Sequence, residues 1–187
     1  MLIVLQSKRK EGAFIMKKLI ALVILFTFIF SGMEVLAQEK PDFDPASPCG
    51  LSEKELSMGL LGELSYYSGE FIAAEKKYGV NAVFLAAVAA LESGWGRYCF
   101  RQNNIFGWSG KDFESKEECI DFVASKLKEH YLSEGGKYYN GKTIEGINVC
   151  YNGNDFWAEK IKEIMSMIKK GADMNKNYAL NSAKISS

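Results

Sequence analysis

Asn81-Ala82-Val83-Phe84-Leu85-Ala86-Ala87-Val88-Ala89-Ala90-Leu91-Glu92-Ser93-Gly94-Trp95-Gly96 is the stretch on which the reading of this chain turns. Together with the preceding Val80, apolar residues recur at Val83, Phe84, Ala87, Val88 and Leu91, the spacing of one face of a buried helix. Asn81 is suited to cap its start, and Gly94 and Gly96 to end it. Glu92 falls four residues after Val88, beside the apolar stripe. A carboxyl held there loses water, which disfavours its ionised form, raises its pKa and lets it carry a proton to donate. Position alone is a weak signal, because a glutamate at a helix end is ordinarily a solvated surface group.

Working outward, Ser52 with Glu55 forms a capping-box signature ahead of Leu56, Leu60 and Leu64. A second helix is predicted between Ser68 and Tyr78, with Phe71, Ala74 and Tyr78 on one side and Gly79 as its stop. Ser115 and Glu118 repeat the capping pattern before Ile120, Val123, Ala124, Leu127 and Tyr131. A last helix begins near Asn154 or Asp155 and carries Trp157, Ile161, Ile164 and Ile168. Residues 99–114 and 132–151 are rich in Gly, Asn and aromatics without helical period, and are expected to be loops or short hairpins. The fold class is therefore mainly α, with one domain over 52–170 and an extended lead-in over 38–51. From Gly171 to Ser187 the chain is polar and aperiodic, and a flexible tail is expected.

The 187 residues, 48% hydrophobic and 25% charged with three prolines, suit a single globular core. Basic and acidic residues balance at 23 each, and residues 1–37 hold five of the basic and two of the acidic ones, so the remainder is slightly acidic. Phosphate neutralisation dominates nucleic-acid affinity, so a chain without a basic cluster is not expected to bind nucleic acid. From Met16, a second possible start, a basic pair (Lys17, Lys18) precedes an apolar run from Leu19 to Phe30 and small residues up to Ala37. This is the layout of a signal peptide over 1–37, and the protein is expected to be exported to the periplasm or beyond the cell. The run is short of the ~20 apolar residues that cross a bilayer, so no stable membrane insertion is expected after cleavage. Four cysteines (Cys49, Cys99, Cys119, Cys150) follow the cut. An even number in an exported chain suggests disulfides of undetermined pairing, beside the alternative of four buried free thiols. Their spacing fits no zinc site, and no metal or organic cofactor is expected.

Several motifs in fixed order carry a resemblance. Glu92-Ser93-Gly94-Trp95-Gly96 is followed by Asn103-Asn104-Ile105-Phe106-Gly107-Trp108. Glu75-Lys76-Lys77-Tyr78-Gly79-Val80 precedes the first of these, and residues 113–122 carry a Phe-x-Ser-x-Glu-Glu helix start. Tyr151 then leads a segment running through Trp157 to Ile161. Across roughly residues 65 to 170 this resembles the bacterial endo-β-N-acetylglucosaminidases of glycoside hydrolase family 73, in the lysozyme-like superfamily. The resemblance implies a lysozyme-like helical domain that cleaves the peptidoglycan backbone after N-acetylglucosamine. It implies Glu92 as general acid and Tyr151 as the tyrosine facing the catalytic centre, with the loop from Asn103 through Phe106 lining the cleft. Trp95 and Trp108 offer flat faces for sugar rings, Trp108 being the better placed in its aperiodic loop. Trp157 sits on an apolar stripe and reads as core. Asn103 and Asn104 are candidates for binding N-acetyl groups, or simply turn formers.

One departure stands out. Relatives carry a longer hairpin after the Asn-Asn loop that often supplies a second carboxylate, whereas here Ser109-Gly110-Lys111-Asp112 alone separates Trp108 from Phe113. A reduced or absent β-hairpin lobe is expected, with Asp112 and Glu114 the nearby acids. A one-carboxylate site works if the substrate's own N-acetyl group attacks the anomeric carbon. The alternatives are a non-catalytic peptidoglycan-binding scaffold and a lytic transglycosylase. The expected partners are peptidoglycan strands, and the protein is expected to be a monomer.

Overall fold

The structure, a computed structural model, describes residues 43–185. The expected signal peptide and the first part of the lead-in lie outside the described residues. Among those described there are six α-helices and no strand: α1 (Glu53–Gly59), α2 (Ser68–Tyr78), α3 (Ala82–Ser93), α4 (Lys116–Leu127), α5 (Ile144–Tyr151) and α6 (Asp155–Ile185). A 3₁₀ segment, Gly62–Tyr67, joins α1 to α2, and a π-turn, Lys128–Leu132, follows α4. The mainly helical class and the missing hairpin lobe are as expected from the sequence.

The start signals act as their chemistry requires. Ser52 and Glu55 complete a reciprocal capping box on α1. Gly79 and Gly94 take left-handed conformations that end α2 and α3. Asn81 caps α3 by accepting from the Phe84 amide at 3.0 Å, and Ser115 caps α4 by accepting from Glu118 at 3.1 Å. Every residue of α3 from Ala82 to Ala90 is buried, more than the single stripe read from periodicity. The alanines make this possible, since their small side chains let α2 and α6 approach the faces that the valines and leucines do not fill.

Three segments differ from expectation. The lead-in from Phe43 is not simply extended: it turns back and packs, with the Asn81 amide donating to Ser47 O at 2.7 Å and the Glu75 carboxylate accepting from both Cys49 N (2.8 Å) and Ala82 N (2.7 Å). Within residues 132–151, expected to be loop, α5 forms because Thr143 caps Gly146 N at 3.0 Å and Ile144 and Ile147 are buried on one side. Two turns are too few to show a period. The expected tail is helical through Ile185. Its partners come from α1: Asn175 donates to Met58 O at 3.1 Å, and Lys176 pairs with Glu55 at 2.6 Å. With the Ser52 cap, Lys176 holds the Glu55 carboxyl down at about 2. The two helices meet so closely at Gly59 that a Cβ there would lie 2.1 Å from Ile168 O.

The expected disulfides are not seen, and all four cysteines are free in this structure. Cys119 is buried on α4, its thiol 4.0 Å from the Asn104 side-chain oxygen, where burial pushes its pKa up to about 12. Cys49 is half-buried beside Leu51 and is pushed up to about 11, again by burial. Cys150 is exposed on α5 and Cys99 half-buried in the loop after α3. The four thus sit in unlike environments, and the most buried behaves as a small apolar side chain.

Candidate functional site

The C-terminal end of α3 delivers Glu92 to a pocket of about 240 Å³ lined by Glu92, Phe106, Gly107, Trp108, Ser109, Tyr131, Tyr151 and Asn152. The residues after Glu92 are locked in place. Buried Ser93 donates to Ala89 O at 2.6 Å and accepts from Gly96 N at 2.8 Å, which fixes the turn. Lys116 on α4 reaches back to Gly96 O at 3.3 Å and pairs with Glu63. Glu92 is open to solvent on its pocket side. Protein packed around the rest of its carboxyl nonetheless raises its pKa by desolvation, and an opposing hydrogen bond from Trp157 Nε1 at 3.2 Å limits the rise.

The opposite wall is the loop after α3, and polar groups hold it. Asn104 is 2% exposed. Its Nδ2 donates to Trp108 O (3.1 Å) and Lys111 O (2.7 Å), while its Oδ1 accepts from Trp108 N (2.9 Å). Asn103, at φ 56°, donates to Phe113 O (3.1 Å) and Glu114 O (2.9 Å). The side-chain N–H groups of both asparagines donate to the loop's own backbone, so both act as loop formers. Their work holds Phe106 and Trp108 at the pocket. Gly107, at φ 62°, leaves a space that a Cβ would fill at 4.0 Å from Glu92 Oε2.

Aromatic rings make up the rest. Trp108 lies 6.2 Å from Tyr151 and packs edge-on against Phe122 at 6.1 Å. Tyr151 stacks on Trp157 at 5.1 Å and meets Tyr131 at 5.8 Å. Burial, followed by the nearby Glu92 carboxylate, raises the Tyr151 pKa far above the ordinary phenol value. Its hydroxyl is a neutral hydrogen-bonding group throughout the accessible pH range.

Three candidates fall outside this assembly. Trp95 takes a left-handed conformation, φ 64°, and lies over Gly62 of the 3₁₀ segment instead of lining the pocket. Asp112 is exposed and accepts from Gln102 N at 3.1 Å, and Glu114 is exposed beside it; neither lines the pocket. The loop turns their carboxyls outward because its backbone is drawn inward onto the two asparagines. Among the lining residues Glu92 is the one carboxylate. Sequence reasoning missed Tyr131, Ser109 and Asn152. Tyr131 reads from the sequence as the last apolar position of its helix, and the π-turn that moves it to the pocket leaves no periodic trace.

Residues 68–170 match the glucosaminidase family model, described as mannosyl-glycoprotein endo-beta-N-acetylglucosaminidase. The chain belongs to the glucosaminidase family. This glucosaminidase domain is 34% identical over 111 residues to a putative endo-beta-N-acetylglucosaminidase of Streptococcus pneumoniae serotype 4, covering 54% of this chain and 17% of that protein. A second Streptococcus pneumoniae strain has a protein of the same description, also 34% identical over 111 residues, of which 16% is covered. The chain thus spans about a sixth of the length of the curated relatives it matches. In three dimensions the glucosaminidase domain resembles Staphylococcus aureus autolysin E, solved in complex with the muropeptide NAM-L-Ala-D-iGlu. The TM-score is 0.55 at 22% identity, over 68% of this chain and 70% of that one. That likeness shows the lysozyme-like helical fold.

Proposed function

We propose that this chain is an exported peptidoglycan hydrolase, an endo-β-N-acetylglucosaminidase in which Glu92 is the general acid. The observation that carries the reading is a carboxyl with a raised pKa at the end of a buried helix, open to an aromatic-lined pocket. Protonated Glu92 donates to the glycosidic oxygen as the bond after N-acetylglucosamine breaks. Trp108 and Tyr131 offer apolar faces to the sugar, and the neutral Tyr151 hydroxyl offers a hydrogen bond beside the reacting carbon. With Glu92 as the pocket's one carboxylate among the described residues, the arrangement favours attack on the anomeric carbon by the substrate's own acetamido oxygen. The resulting oxazolinium is opened by water, whose proton returns to Glu92. Export rests on the signal-like residues 1–37, and among the described residues no helix is long and apolar enough to cross a membrane.

Release of new reducing ends from purified peptidoglycan tests the reading. Glu92→Gln is expected to fold and to lose on the order of 10²–10⁴-fold in kcat. In the wild type, activity is expected at pH values where Glu92 holds its proton. It is expected to fall as pH rises through a value above the ordinary 4.5. Full activity in Glu92→Gln refutes the assignment. Wall binding without turnover by the wild type indicates a scaffold, and 1,6-anhydro products indicate a lytic transglycosylase.

A further inference from the structure

The two oxygens of Glu92 stand in unlike surroundings. Oε1 accepts from Trp157 Nε1 at 3.2 Å. Oε2 lies on the side of Gly107, a residue of the pocket lining, and no hydrogen bond from the described residues reaches it. Trp157 is 4% exposed, and its ring is clamped against Tyr151 at 5.1 Å and 37°. It is rooted on α6, one turn before the fully buried Ile161. An indole N–H can only donate, and in so enclosed a place its partner is the Glu92 carboxyl.

We propose that Trp157 is a positioning residue for Glu92: its N–H pins Oε1 as the accepting oxygen and leaves Oε2, on the pocket side, to carry and deliver the proton. The inference rests on the reading of Glu92 as the acid. A protonated carboxyl has one carbonyl-like oxygen and one O–H. An N–H directed at the group is accepted more strongly by the first than by the second, so it favours the form protonated on Oε2. After the proton has passed to the glycosidic oxygen, Oε1 still accepts, now as part of an anion and more strongly. The same bond therefore holds the carboxyl in one orientation through both protonation states. Tyr151 on α5 and Tyr131 on the π-turn are the other titratable groups at the pocket, and no Lys, Arg or His lines it. The Trp157 hydrogen bond, opposing desolvation, is the feature that lowers the Glu92 pKa.

The test replaces Trp157 in the whole chain by 3-benzothienylalanine, which keeps the bicyclic shape and puts sulfur in place of N–H. Trp157→Phe serves as a second variant. Glu92 is titrated by carboxyl ¹³C NMR, and kcat and KM on purified peptidoglycan are followed across pH. In both variants Glu92 is expected to titrate about one unit higher. The basic limb of kcat is expected to move with it, and kcat to fall about tenfold at nearly constant KM. An unmoved Glu92 titration in a folded variant, whatever the change in thermal stability, makes Trp157 a packing residue and overturns the inference. If Glu92→Gln is inactive but the titration does not move, this inference alone fails. If Glu92→Gln is fully active, the acid assignment fails and the inference falls with it.

Discussion

The two walls of the pocket are held by different physics. Glu92 stands on α3, where every residue from Ala82 to Ala90 is buried and position is set by apolar packing on all sides. The facing loop, residues 97–115, has no regular ladder of its own, and Asn103 and Asn104 hold it with five side-chain hydrogen bonds to backbone. Packing is spread over many contacts, so no single residue of α3 sets the pocket geometry. The loop has only a few backbone bonds of its own and draws much of its order from two side chains, so a small change there moves the pocket. The floor thus determines whether the domain folds, and the wall determines whether its aromatic rings are in place.

That contrast can be broken by experiment. The largest stability effect is expected at Leu85, which is fully buried in α3. Leu85→Ala should cost ~2–5 kcal/mol, read from urea unfolding. Below its midpoint it should keep near-normal KM, because the cavity is spread into the core and the pocket stays formed. Next comes Asn104→Ala, which strands Trp108 N and the Lys111 carbonyl and leaves the Trp108 carbonyl with Lys111 N alone. A loss of ~2–3 kcal/mol is expected, with a rise in KM at temperatures where the variant is folded, since Trp108 is released. If Leu85→Ala raised KM and Asn104→Ala did not, the division between floor and wall would be wrong.

The smallest effect sharpens the comparison at the junction itself. The native state binds the Glu92 proton more tightly than the unfolded chain does, because burial raises its pKa above 4.5. Stability from this group is therefore greatest below pH 4.5 and declines as pH rises through the folded value. Glu92→Gln carries no such cost, and its open pocket side keeps the cost small. The variant should match the wild type at pH 4 and exceed it by less than about 1 kcal/mol at pH 7, read as thermal midpoints. A variant less stable than wild type at neutral pH would mean that the carboxylate helps to hold α3, contrary to the comparison.

Much of the fold was legible because it is local. Caps at Ser52, Asn81 and Ser115 act through side chains reaching amides three residues on, and left-handed stops at Gly79 and Gly94 need no partner. Helix α5 escaped notice because two turns show no period, and the other segments that differ are decided by something distant in sequence. Residues 171–185 are helical against α1, which lies more than a hundred positions earlier. Asn103 and Asn104 suited two roles until the loop backbone was seen to take up their donors.

By itself the sequence determined a helical domain with a buried central helix, the placing of one glutamate at that helix's end, and membership of the motif set around it, since each rests on spacing within a few turns. Only the tertiary structure decided which oxygen of Glu92 meets Trp157, that Tyr131 reaches the pocket, and that Trp95, Asp112 and Glu114 do not. Periodicity reports which face of an element is apolar. It carries no information about which other element covers that face, and the site is assembled from that second kind of fact.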